Sequence, residues 1–425
     1  MENTNNTVIG EGVKRLPAKD LLKRVGPGLI ATGIVIGPGA VTTAAMLGAN
    51  YGYSLIWLVL PIIFMGITFM MTTNRLAICT GLPTIHAIRK YFGPVAAGVV
   101  GIAVFLSCLF FTMGNISGTG MGLNLLFGID WKIGSAFMIA IVVFCYFAKN
   151  VYSKVEKIIT VCIIVMIVAF YITLIGVGGP DPVELGKGLI GFQVPEGSLA
   201  TALAFISTNA AVTAGIYATY LGKEKKWKPE DLFNGVMFTD ALVHVISVIL
   251  ISGAIILVGA IVLHPQGLSI KSPTELAEML VPIMGKASSI IMGLALVGAG
   301  FSSLLANTQR GMVLLGAGLN KDTGFETKFV RIGCLISLIF AMIICYMYNG
   351  SPTQLILLAN LSTSIATPIG GLFILLLLWR KDVNAGYKSP TALRICMTIS
   401  YVFVTIMTVS ALRTSIPKLI ASFFG

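Results

Sequence analysis

Long stretches in which nearly every position is apolar alternate with short polar connections along this chain. Eleven can be marked off, at about 26–49, 53–80, 95–125, 132–149, 156–178, 197–221, 233–263, 286–318, 330–348, 353–379 and 392–412. A helix needs roughly 20 apolar residues to cross the hydrocarbon of a bilayer, so the pattern predicts eleven spanning helices. The longer runs predict tilt or projection beyond the membrane. The connections are too short to hide a soluble domain. Residues 1–20 are polar and lack the apolar core of a signal peptide, so residues 1–25 read as an uncleaved tail.

Two runs carry breakers where a rod that merely spans would have none. The first reads 33-GIVIGPGAVTTAAMLG-48, with Gly37, Pro38 and Gly39 at its middle, then Ala40, Thr42 and Thr43. Proline lacks an amide hydrogen and crowds the carbonyl one turn back, while the glycines release the backbone from helical geometry. The sixth run has at its centre 207-STNAAVTAG-215, a cluster of small and hydroxylated residues that includes Ser207, Thr208, Asn209, Ala211 and Thr213. The pairs 40-AVTTA-44 and 211-AVTAG-215 share an Ala-Val-Thr trio at corresponding weak points. Five spans separate the two starts, an odd number, so the halves have opposite orientation. That is the plan of many secondary transporters: two inverted repeats, here 26–180 and 196–380, with the eleventh span (389–413) left over and a short tail at 414–425. Backbone groups freed at mid-membrane must be covered by protein or line a wet cavity. The two breaks therefore predict a substrate site.

Composition agrees. Apolar residues make up 56% of the 425 and charged ones 11%, against about 25% charged in soluble domains. The net charge of +12 raises the question of a nucleic-acid partner, which its distribution answers in the negative. With the N-terminus inside, only Lys132, Lys187, Lys271, Lys286, Arg413 and Lys418 of the 29 basic residues fall outside. This is the positive-inside bias, with a cytoplasmic N-terminus and an extracytoplasmic C-terminus in the plasma (inner) membrane.

Chemistry-bearing motifs are sparse. No phosphate-binding G-x-x-x-x-G-K-[ST] occurs, and 301-FSSLLAN-307 lacks the glycines of a nucleophile elbow and reads as helix packing. His86, His244 and His264 lack zinc-ligand spacing, and the seven cysteines lie in or beside apolar runs as small buried hydrophobes. The chain reads as no enzyme and as needing no cofactor. Gly114, Gly118 and Gly122 give span three a stripe for close helix approach.

The stretch 26-GPGLIATGIVIGPGAVTTAAMLGANYGYSLIWLVL-60 resembles the first two spans of the NRAMP family of divalent-metal transporters. The likeness continues in 118-GTGMGLNLLFGI-129, 152-YSKVEK-157, 298-GAGFSSLLANTQRGMVLLGAGL-319 and around Asp240. The resemblance implies an all-α membrane protein of the leucine-transporter (APC-type) fold, eleven helices with the first and sixth broken at mid-membrane, moving its substrate by alternating access and complete as a monomer. The departures fall on the chemistry. Where the family has Asp-Pro-Gly-Asn, with metal ligands at both ends, this chain has Gly37-Pro38-Gly39-Ala40. Where it has Met-Pro-His, this chain has Val212-Thr213-Ala214. Thr112 and Asn115 replace the acids of the proton relay in span three, and Asn360 replaces a ligating glutamine.

Stripping water from a divalent ion needs formal negative charge or several strong oxygen ligands. Asp240 is the acid placed well inside a span, one turn before His244 on the same face. Thr112, Asn115, Asp240 and His244 are the coupling candidates, and no metal site is assigned. The neutral remainder suits either a cation that keeps part of its water, such as magnesium, or a small organic solute such as an amino acid, whose carboxylate would meet the amides of a half-helix. A sensor that binds without transporting is the third reading.

Overall fold

The computed structural model describes residues 9–10, 12–24, 32, 35–147, 151–225, 227–271, 273–324, 327–348 and 350–424, with the backbone alone at 151–163, 222–225, 273 and much of 411–424. The described residues are helical, and the one β-bridge among them is Ile9 with Tyr387. After α1 (Ala18–Lys23) come α2 (Pro38–Tyr51), α3 (Val59–Thr80), α4 (Thr84–Phe127), α5 (Trp131–Phe147), α6 (Val151–Gly176) and α7 (Pro182–Ile190). The second half holds α8 (Leu199–Asn209), α9 (Val212–Lys225), α10 (Val236–Val258), α11 (Ser288–Gly318), α12 (Lys328–Met347), α13 (Pro352–Thr363), α14 (Ala366–Trp379) and α15 (Thr391–Phe424). Among the described residues eight stretches are long and apolar enough to cross a membrane, and α5 and residues 164–176 are shorter apolar helices.

Both expected breaks are present. Gly37 is extended, at φ −111° and ψ 178°, and α2 begins at Pro38. A first-turn proline costs nothing, because the amide it lacks would have had no helical partner. In the sixth span Ala210 leaves helical geometry at φ −127° and ψ 39°, between α8 and α9. A third, slighter interruption was not foreseen: in the tenth span the regular helical hydrogen bonding lapses at Ser364 and Ile365, between α13 and α14, although both keep right-handed helical dihedrals. Pro368 marks it, since it has no amide to donate to the Ser364 carbonyl one turn back, and the hydroxyl of Ser364 bonds back to the Leu361 carbonyl at 2.7 Å. Two boundaries also differ from expectation. α15 runs on to Phe424, so the helix continues past 413 through the short tail. α4 begins at Thr84, ahead of the expected 95, with a kink where Gly93 has φ 88°.

The glycine stripe of α4 lets other helices close in. A Cβ on Gly118 would collide with the Pro38 ring, and one on Gly122 would lie 2.9 Å from the Gly293 carbonyl. A Cβ on Gly300 of α11 would collide with Thr119 and lie 3.2 Å from the Pro38 Cγ. The break is therefore held between α4 and α11.

On one face of the bundle the segment before the first span is strapped across two later loops. Ile9 pairs with Gly386 and Lys388 at 2.8 and 2.9 Å, and the Leu16 amide donates to the Asn234 carbonyl at 3.0 Å. Arg24 donates to both oxygens of Asp231 at 2.7 and 3.0 Å. Asp231 is 1% exposed and also accepts from the Lys228 amide and Asn234 Nδ2. On the opposite face a vestibule of about 360 Å³ is lined by Asn50, Thr201, Lys271, Thr353, Gln354 and Leu361, among others. It reaches the neighbour of Asn360.

Arg24→Gln leaves the buried Asp231 carboxylate with two neutral donors, a loss of about 2 kcal/mol. The expected result is faster labelling of a cysteine placed at Thr208 from the strapped face, by roughly tenfold or more. Unchanged labelling would show that the strap does not gate this face.

Candidate functional site

The extended backbone at Gly37 packs against two polar side chains. A Cβ there would lie 2.6 Å from Ser303 Oγ and 2.7 Å from Asn115 Oδ1. At Gly39, the next residue but one, a Cβ would lie 2.7 Å from Asn360 Oδ1 and 2.8 Å from its Nδ2. Glycine here brings amides from α4 and α13 against the broken helix, where any side chain would hold them off. Asn115 and Asn360 are both fully buried, and neither amide has a hydrogen-bond partner for its oxygen or its nitrogen. The hydroxyls of Thr42 and Thr213 are buried and unpartnered as well. An unpaired buried polar group costs about 1–3 kcal/mol. Four such side chains lie at or against the two helix breaks, and together they form the candidate site for a polar guest.

The remaining residues expected at the site divide by their hydrogen bonds. Thr43 donates to the Gly39 carbonyl at 2.8 Å, and Ala40 lies buried in the same turn. Thr112 donates to the Cys108 carbonyl at 2.8 Å. Asn209 donates to the Phe205 carbonyl and accepts from Ser252. These groups shape the helices. Ser207 donates to the Asn360 carbonyl at 2.8 Å and so ties the sixth span to the tenth. Together with Thr208, Ala211 and Thr213 it lines a narrow hollow of about 10 Å³, room for about one water, on the strapped side of the break. Val35, Ser107, Phe111, Arg310 and Thr363 complete the lining.

Sequence reading missed a polar stripe on α11. Gly300, Ser303, Asn307 and Arg310 recur at helical spacing on one face, and that periodicity was legible in the stretch read as packing. Arg310, counted among the cytoplasmic basic residues, is 5% exposed inside the bundle. Its Nε donates to Cys108 Sγ at 3.3 Å.

Asp240 and His244 are both buried in α10. His244 Nδ1 lies 2.8 Å from Thr32 Oγ1, so the α10 pair is linked to the segment that precedes the first break. Among the described residues no three His, Cys, Asp or Glu side chains converge on a point that could hold a metal ion. The site's polar atoms are neutral amides and hydroxyls, with one guanidinium beyond them.

Residues 28–414 match the family model described as natural resistance-associated macrophage protein-like. The chain is 24% identical over 299 residues to the divalent metal cation transporter MntH of Yersinia pestis (strain Pestoides F), covering 69% of this chain and 72% of that one. It is 28% identical over 312 residues to the protein of the same name from Chromohalobacter salexigens, covering 69% and 70%. Among solved structures, the Eremococcus coleocola manganese transporter in complex with an aromatic bis-isothiourea compound superposes with a TM-score of 0.74 at 17% identity, over 98% of this chain and 91% of that one. The architecture is the leucine-transporter fold.

Proposed function

Because the chain belongs to the natural resistance-associated macrophage protein-like family, we propose that it is a secondary transporter, carrying a divalent metal cation by alternating access around its two broken helices. What supports the substrate class is kinship with the MntH proteins. What carries the mechanism is the set of four buried, unpartnered polar side chains at the breaks: Thr42, Asn115, Thr213 and Asn360. Neutral oxygens replace the inner water shell of manganese or iron poorly, because dehydrating a divalent ion needs anionic or soft ligands. They suit an ion that enters with part of its water, as magnesium does. Amide and hydroxyl groups then bond to the retained waters.

On this reading the strapped face is cytoplasmic, in keeping with the basic residues there, and the vestibule opens outward. The protein works as a single subunit in the plasma membrane, its N-terminus inside and C-terminus outside. Coupling runs through Asp240 and His244, which reach the first span by way of Thr32. Thr112 is committed within its own helix.

The test is magnesium uptake into proteoliposomes. Asn360→Leu is expected to lower the rate by roughly fiftyfold or more, since it removes two polar atoms from a buried site, while Asn360→Gln retains part of it. In the same vesicles Thr112→Val leaves the pH dependence intact and Asp240→Asn removes it. Uptake indifferent to Asn360 would place the path elsewhere.

A second reading has its own support. Of the described residues lining the vestibule, Lys271 is the one that carries charge, and in the hollow it is Arg310. Positive charge on both approaches favours a solute with a carboxylate.

A further inference from the structure

We propose that α7 and the residues that follow it, through Val194, form an interfacial anchor. They sit at the boundary between headgroups and acyl chains on the vestibule face, and through them lipid packing bears on the far end of α2. This rests on the chain being embedded in a bilayer and not on the identity of its cargo, so it can fail while the transport reading stands.

α7 joins the fifth span to the sixth and is far too short to cross a membrane, yet one side of it is not built for water. It has nine residues, and the Asp181 carboxylate starts it by accepting from the Val183 and Glu184 amides at 2.8 and 3.2 Å. Leu185 and Leu189 pack on the core. Val183 and Ile190 lie two turns apart on another side of the helix and are exposed, Ile190 by 77%. Phe192, at 60%, and Val194 continue the exposed apolar stretch. The polar residues face elsewhere. Glu184 and Lys187 pair at 2.7 Å and line a pocket with Tyr51, Tyr53 and His264. That pocket shares Tyr51 with the vestibule, so α7 stands on the same face. An open apolar side beside an ion pair is the pattern of a helix lying in a membrane surface.

Phe192 is the strongest sign. Its φ of 46° lies in the left-handed region, which is costly for any residue with a Cβ and most of all for a bulky one. Glycine would serve if only a turn were needed. The ring is instead held out of the protein, edge-on to Trp57 with 5.5 Å between centroids. Trp57 in turn donates its indole N–H to the Gln193 carbonyl at 2.8 Å. Strain kept at an exposed aromatic points to a use for the ring. Trp57 stands in the first turn of the second span, the level at which tryptophan meets the membrane–water interface. Lipid-facing surface also runs into the patch, since Ile172 and Ile175 are exposed at the end of the fifth span.

The anchor has hold of the site's scaffold. Gly188 packs so closely on the turn after α2 that a Cβ there would lie 2.3 Å from the Tyr53 carbonyl oxygen. α2 ends at Tyr51 and carries Gly39, Thr42 and Thr43. The depth of α7 in the bilayer therefore biases where the far end of that half-helix stands.

The test places the fluorophore bimane on Phe192→Cys, Ile190→Cys and, as control, Glu184→Cys, in the full-length protein reconstituted into phosphatidylcholine vesicles. The unsubstituted protein gives the labelling background. Lipid brominated on its acyl chains is expected to quench bimane at 190 and 192 roughly threefold more than at 184, and aqueous iodide to show the reverse order. Iodide reaching all three positions alike would put the stretch in water and overturn the proposal. Shielding from both quenchers would mean a protein cover, a second copy foremost, and would overturn it as well. The link to α2 is read from Asn50→Cys in the vestibule. Adding Phe192→Ser should change its labelling rate by roughly threefold in vesicles and leave it unchanged in detergent, with Phe192→Leu like the parent. Ile190→Ser carries the same expectation if Phe192→Ser fails to fold. Labelling in vesicles that ignores these substitutions would overturn the link. None of these readouts uses flux, so they stand apart from the test of cargo.

Discussion

Manganese titrated into the purified protein at micromolar concentration is expected to give no heat of binding, and the double variant Gly37→Asp with Ala40→Asn to give a clear one. The argument is one of charge. Around the first break the wild-type side chains within reach are Ser303, Asn115 and Asn360, all neutral. Neutral oxygens seldom compensate for the water lost by a divalent transition metal. A carboxylate at Gly37 would lie beside Asn115, whose free amide can turn its N–H toward the new charge and hold it. Its Cβ would need Ser303 and Asn115 to yield, from 2.6 and 2.7 Å, and the Asn115 amide end has no bond to lose. The gain should be on the order of a hundredfold in affinity, about 2.7 kcal/mol. Micromolar binding by the wild-type chain would show that backbone carbonyls suffice. Silence from the double variant would show that the pocket no longer converges on an ion.

Gly39→Val is expected to abolish transport with little change in Tm. The Cβ alone falls 2.7 Å from Asn360 Oδ1 and 3.1 Å from its Cγ, and the valine methyls would occupy the space where the solute meets the amide. Residue 39 lies in regular helix within α2, so a β-branched side chain costs the backbone only a few tenths of a kcal/mol. The loss should exceed roughly a hundredfold in initial rate, with Gly39→Ala intermediate. A Gly39→Val protein that transports normally would move the solute path away from Asn360. A large drop in Tm would make Gly39 a packing residue first.

Much of the architecture could be read from the chain because bilayer physics leaves few choices. Eleven apolar runs of spanning length, and a proline between two glycines in the first, require a bundle with a covered break. The weak point of the sixth span was legible too, as small and hydroxylated residues where leucine would be expected. The tenth-span interruption at Ser364 was legible as well, in Pro368 four residues further on, but the proline's effect falls one turn back from its own position, among Ser362, Thr363 and Ser364, which are common in packed membrane helices. The polar stripe of α11 escaped for a different reason. Arg310 near the end of a long apolar run has the same appearance in sequence whether it reaches the cytoplasm or turns inward. Packing against Cys108 decides that, and Cys108 is 202 positions away in the chain. Site residues divide similarly. Thr42 and Thr43 are neighbours of one type, yet one hydroxyl is spent on its own helix and the other is free. Only the direction each faces separates them.

The strap across the closed face carries a mechanical corollary. Residues 9–10 and 12–24 lie over the loops at 231–235 and 384–388, fastened by peptide hydrogen bonds at one end and the Arg24–Asp231 pair at the other. On the proposed transport cycle this face opens only after that segment is peeled away, so a stretch of chain that never touches cargo is expected to set part of the cycling speed. A bulky fusion or a binder clamped onto those first residues would arrest the machine while leaving its grip on solute untouched.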